Sequence, residues 1–173
     1  MALPKLNTTP YYDVIIPSTG EKTRFRPYLV KEEKILLMAS ETADNQEIAG
    51  AMLNIVCECV EGVNRNKLTT FDMEYLFLQL RSKAVGETAT MLATCQNGEC
   101  FEQNEVKVEI GKVEVNMPKD KNNIITLSDD MTIELKYPTY NAVLNNKIMA
   151  TEESETELVY QTVLLCLDIL NVK

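Results

Sequence analysis

The chain contains no histidine and no tryptophan. Without histidine there is no imidazole base, no Ser–His or Cys–His nucleophile pair, and none of the usual catalytic zinc sets. Carboxylate or lysine catalysis would have to carry any enzyme chemistry, and the sequence is read as non-enzymatic. Basic residues are also scarce. Lys and Arg total 17 against 26 Asp and Glu, for a net charge of −9 over 173 residues. A nucleic-acid binder needs a basic face to displace counterions from phosphates, and only scattered cations such as Lys22, Arg24 and Arg26 are present. No apolar run approaches the ~18 residues of a membrane span. The opening "MALPKLNTTPYYDV" lacks the basic-then-apolar layout of a signal peptide, which points to a cytosol. Five cysteines there are expected as thiols, and an odd count opposes a full disulfide framework. No Walker loop, dinucleotide fingerprint, EF-hand loop, internal repeat or low-complexity linker occurs.

The residues present, 45% of them hydrophobic, suit a soluble domain. "YYDVIIPSTGEKTRFRPYL" reads as a hairpin turning at "PSTGEK". "LVKEEKILLMAS" reads as a helix with Leu29, Ile35, Leu36 and Met38 on its apolar side and residues 31–34 in solvent. "NQEIAGAMLNIVCECVEG" repeats apolar residues at three- and four-residue spacing, with Cys59 inward and Cys57 on a flank. "TTFDMEYLFLQLRSKAVGE" is the strongest helix, with Thr70 as the expected cap and apolar residues nearly all round. Between Thr88 and Tyr137 the period changes. "TATMLATC" with "ECFEQNEVKVEI", and "NIITLSDDMTIELKYP", read as two hairpins with a bend at Gly111. "TYNAVLNNKIMA" is a short helix. "SETELVYQTVLLCLDIL" is a long one running through Leu170, with Ser154 and Glu157 as a capping box. The acidic stretches "DMEYLF" and "TEESETE" lie at helix starts, where carboxylates favour the positive end. The expectation is an α+β fold: a helical body with an inserted small antiparallel β-sheet of two hairpins. It is read as a single domain over 1–173, with an N-terminal hairpin (1–29), helices (30–86), a β insertion (87–137) and C-terminal helices (138–173).

"TCQNGEC" admits three readings. Asn-Gly favours a two-residue hairpin turn, which would set Cys95 opposite Cys100 at a spacing a disulfide tolerates. A zinc site would need further ligands from Cys57, Cys59, Cys166 or carboxylates. A redox pair would want a tighter spacing at a helix start. The hairpin tip is favoured, as reduced thiols. A small zinc-binding adaptor with Cys95 and Cys100 as ligands is the alternative.

"FRPYLVKEEKILLMASE", "TTFDMEYLFLQLRSKAVGE" and "IELKYP", in that order around the Cys-bearing hairpin with "VKVEIGKVEV", resemble the baseplate hub assembly proteins of T-even-type contractile-tailed bacteriophages. The resemblance implies a non-enzymatic protein without cofactor or small-molecule substrate. Its partners would be other baseplate hub subunits, met in the host bacterial cytoplasm and retained, on some readings, in the virion. Such a role needs apolar anchors on a surface. Two places offer more apolar surface than the core should need: Met73 to Leu80, with Tyr75 and Phe77, and Leu164 to Leu170, with Leu167 and Leu170. If these two helices pack on each other they saturate, and the surface lies elsewhere. The cluster Arg24, Phe25, Arg26, Tyr28 is a smaller candidate.

Overall fold

The computed structural model describes residues 9–96, 100–117, 122–146 and 155–172. Strands β1 (Tyr12–Ile15) and β2 (Lys22–Phe25) form the N-terminal antiparallel hairpin. Gly20, at φ +73°, makes its turn, and its N–H donates to the Ile16 carbonyl. Helices α1 (Val30–Glu41), α2 (Asn45–Cys59) and α3 (Thr70–Ala84) follow, and α4 (Tyr140–Asn145) returns late in the chain to pack on α2. The core lies among these elements. Leu53, Ile55, Val56, Cys59, Met73, Leu76 and Leu80 are shut off from solvent, with Phe25, Tyr28, Tyr140 and Leu144 around them.

Short backbone bridges fasten this body. The Arg26 N–H donates to the Cys59 carbonyl and the Glu61 N–H to the Arg24 carbonyl, so the end of α2 is sewn to β2. The Tyr140 N–H donates to the Leu68 carbonyl and ties α4 to the start of α3. Thr69, rather than Thr70, caps α3 by accepting from the Asp72 N–H.

Two charged residues are buried: Glu32, read as solvated, and Asp72, which lies in the first turn of α3 as read. Glu32 is 1% exposed. It accepts from Arg26 Nη2 at 2.9 Å and from the Leu29 N–H at 2.5 Å, and Lys31 Nζ lies 3.3 Å away. Burial alone would raise its pKa. The Arg26 hydrogen bond, the Leu29 amide and Lys31 outweigh burial and hold it at about 2. Asp72 accepts from the Ser18 N–H at 2.8 Å and the Thr69 hydroxyl at 2.6 Å, joining the β1–β2 turn to α3.

Both hairpins of the β insertion form. Strands β3 (Thr88–Thr94) and β4 (Gln103–Glu109) pair antiparallel, as do β5 (Ile124–Ser128) and β6 (Met131–Leu135) around Asp129 and Asp130. They do not join into one sheet. The β3–β4 ribbon stands as a two-stranded sheet, while β5–β6 gains a third strand. At the foot of the ribbon a 3-10 turn, Ile110–Lys112, supplies the bend expected at Gly111. The Gly111 N–H donates to the Glu87 carbonyl, and a Cβ there would meet Glu87 at 3.3 Å. The alternation of Val113, Val115 and Met117 yields no strand.

The third strand corrects the expected C-terminal helix. Helix α5 (Glu155–Cys166) stops four residues before Leu170, and β7 (Leu167–Val172) pairs antiparallel with β6, setting Leu167 opposite Leu135 and Leu170 opposite Ile133. The free edge of β6 decides this, since pairing there satisfies backbone groups that a longer helix would leave open. The Lys136 N–H donates to the Cys166 carbonyl at the switch, and Lys136 Nζ meets Asp168 at 2.8 Å. Ser154 of the expected capping box lies outside the described residues.

Candidate protein interface

Register settles the cysteine pair. Thr94 opposes Gln103, and the Cys95 N–H donates to the Glu102 carbonyl at 2.9 Å. Cys95 therefore faces Glu102, not Cys100, because the hairpin axis sits further along than an Asn97–Gly98 turn would put it. Asn97 and Gly98 themselves lie outside the described residues. All five cysteines are free thiols. Burial pushes the Cys59 thiol up to about 11 and raises Cys57. Among the described residues, no three His, Cys, Asp or Glu side chains gather where they could hold a metal.

The sequence-derived partner residues divide into two sets. Phe25 (2% exposed) and Tyr28 are core residues, so they offer no surface. Arg26 is held by Glu32. Arg24 is exposed, paired with Glu61 at 3.0 Å and lying over the Tyr11 ring. Tyr75 and Phe77 are half-buried against the core, and Phe77 stacks on Tyr28 at 6.5 Å between centroids. Met73, Leu76 and Leu80 of α3 fill the centre, and Phe71, partly buried, packs edge-on to the exposed Tyr137 at 5.0 Å. Leu167 is 39% exposed. Leu170 enters β7.

Three apolar surfaces stand open; the first overlaps the expected Leu164–Leu170 stretch and extends it back to Val159, and the other two were missed by sequence reasoning. On α5, Leu158, Gln161 and Leu165 recur at i, i+3 and i+7 on the half-buried side. The other side carries Val159 (64% exposed), Tyr160 (61%), Val163 and Leu164, and the row runs on to Leu167 at the start of β7. These residues fill two adjacent helical rows and make one stripe. Between Lys147 and Lys173 the sequence has Glu152, Glu153, Glu155, Glu157 and Asp168 but no lysine or arginine. The stripe therefore sits in an acidic setting.

A second open surface is the β3–β4 ribbon. One face carries Ala89, Met91 and Ala93 with Val106 and Val108 across from them; Met91 and Val106 are exposed. Phe101 projects near its tip, 71% exposed and at φ +46°, a backbone conformation that an aromatic residue rarely adopts. A third is α1, where only Leu36 of the expected stripe reaches the core, while Ile35, Leu37 and Met38 face solvent. A cavity of about 320 Å³ beside Ser18, Lys67 and Leu68 also touches Asp72, whose oxygens are already bonded. Nothing there gathers reactive groups. What the described residues show outside the core is open apolar surface.

Comparison with known proteins agrees with that picture. No curated protein and no solved structure matches the chain. A scan of protein families matches residues 9–168 to the family described as T4 bacteriophage base plate protein. The match takes in every helix of the body, the β3–β4 ribbon, β5, β6 and the α5 stripe. The chain belongs to the T4 bacteriophage base plate protein family, and is a structural protein of the phage tail baseplate.

Proposed function

We propose that this protein acts without catalysis in assembling the central hub of the baseplate, in the host bacterial cytoplasm, and that it binds another hub subunit through the α5 stripe. The observation carrying this reading is the unbroken row Val159, Tyr160, Val163, Leu164, Leu167. Exposed apolar surface of this extent on a chain of ordinary hydropathy marks an interface. The acidic setting selects a partner whose apolar groove is rimmed by lysine or arginine. Tyr75 and Phe77 act in this reading as core, and Arg24 as a peripheral contact.

Co-expression with the baseplate subunits of the same phage tests it. Val163→Asp with Leu164→Asp should abolish co-purification and leave helix content and melting temperature unchanged, since both side chains face solvent in the free chain. Phe77→Asp should lose the fold itself. Undiminished co-purification of the α5 double variant would move the interface elsewhere.

A further inference from the structure

The β3–β4 ribbon raises a question that the α5 stripe does not answer. A two-stranded ribbon with an open apolar face is marginal in water, and stability comes with further strands or a covering element. Among the described residues β3 hydrogen-bonds only to β4, so its other edge is open. Natural edges are guarded by charge, proline or bulges. The β5 edge has a bulge between Thr126 and Ser128, and β4 carries Glu105, Lys107 and Glu109. β3, "TATMLAT", has no charge, no proline, no glycine and no irregularity over its seven residues.

The order of residues in β3 is also nearly symmetric about Met91. We propose that two copies of this chain join edge to edge through β3, antiparallel, across a two-fold axis at Met91. In that register Thr90 lies opposite the second copy's Leu92, Ala89 opposite Ala93, and Thr88 opposite Thr94. The hydrogen-bonding phase agrees. Because the Cys95 N–H bonds across to Glu102, the backbone groups of Cys95, Ala93, Met91 and Ala89 point toward β4. Those of Thr94, Leu92, Thr90 and Thr88 point to the open edge, and these are the residues the two-fold sets against each other. The pairing keeps faces matched. Ala89, Met91, Ala93, Val106 and Val108 of both copies form one face, apolar but for Asn104, on a four-stranded sheet ordered β4–β3–β3–β4.

Charge restricts where two copies can meet. The chain is strongly acidic, so copies repel over most of their surface. The edge where they would meet is neutral from Thr88 to Thr94; Glu87, just before it, is paired with Lys83, and the other nearby charges sit one strand back on β4 with both signs present. A two-fold contact of this kind is self-limiting and closes at the dimer.

Light scattering on the purified full chain, at about 100 µM, tests this. The expected mass is twice the 19.6 kDa of the chain, and added salt, which screens the repulsion between acidic copies, should hold or strengthen the dimer. Leu92→Pro removes one outward N–H and leaves the β3–β4 ladder its own bonds, so it should give monomer with unchanged circular dichroism. Thr90→Lys with Leu92→Lys should also be monomeric, as should Thr90→Glu with Leu92→Glu. Mixing the two should restore a dimer, a rescue that mere damage to the ribbon could not produce. A monomeric wild-type chain, a dimer indifferent to Leu92→Pro, or failure of the mixed variants to associate would each overturn the proposal. None of these outcomes bears on the α5 stripe, whose test reads a different partner.

Discussion

The body of the molecule and the elements built around it treat their apolar residues in opposite ways. In the body, Leu53, Met73, Leu76 and Leu80 have no solvent exposure, and the buried carboxylates are answered by named donors. In the ribbon, the three-stranded sheet and α5, residues such as Leu92, Ile124, Leu127, Val159 and Tyr160 stand half or more in water. Both regions are built from the same kinds of apolar residue. The difference is what they meet. The body, apart from the outer side of α1, closes on its own core, and on the proposed reading the outer elements are covered by other protein chains.

Four changes would break or sharpen this contrast. The largest effect belongs to the centre of α3. Leu76→Ala should cost about 2–5 kcal/mol, through lost burial and the cavity left behind, read as a lower midpoint in chemical denaturation. Next is acid sensitivity. The folded-state pKa of Glu32, about 2, lies below its ordinary 4.5. Its stabilising contribution is therefore present above pH 4.5 and is lost as pH falls toward 2. At 1.36 kcal/mol per pH unit this is on the order of 3 kcal/mol. Glu32→Gln should flatten the stability profile across that window and lower stability at pH 7. A smaller loss, about 1–2 kcal/mol, is expected for Asp72→Asn, which keeps an acceptor for Ser18 but turns an amide donor toward the Thr69 hydroxyl. The smallest belongs to the outer region. Tyr160→Ser or Val163→Ser should shift stability by no more than about 0.5 kcal/mol. A cost like that of Leu76→Ala would mean the stripe is core.

Much of the body was legible in the sequence, because helical spacing in "NQEIAGAMLNIVCECVEG" and "TTFDMEYLFLQLRSKAVGE" reports a buried face directly. The N-terminal hairpin and both inserted hairpins were legible through turn residues and alternation. β7 was not. "LDIL" continues the helical spacing of α5, and only the open edge of β6, a feature of tertiary structure, decides for a strand. Glu32 was misjudged as solvated, and the burial of Asp72 went unread although its place at the helix start was legible, because a charge near a helix start reads the same whether it faces water or a buried donor. The open surfaces were hidden for a related reason. Alternating residues such as Met91 and Val106 signal one apolar face, but the pattern is silent on whether this chain covers that face. Phe25 and Tyr28 show the reverse, a cluster with the composition of an interface that this chain buries for itself.

Thiol labelling offers a simple check on the same division. Cys100 is exposed, whereas Cys59 is buried with its thiol pushed to about 11. Cys100 should react at once near neutral pH, and Cys59 only as the body unfolds.

Hydrogen exchange, on the free chain and on the chain co-purified with its baseplate partner, addresses the central claim most directly. Amides of α2 and α3 should be the slowest in the free chain and change little on binding. Amides of α5 should exchange much faster in the free chain and slow sharply in the complex. If α5 is as protected as α3 when free, or gains nothing in the complex, its apolar stripe is not the docking surface.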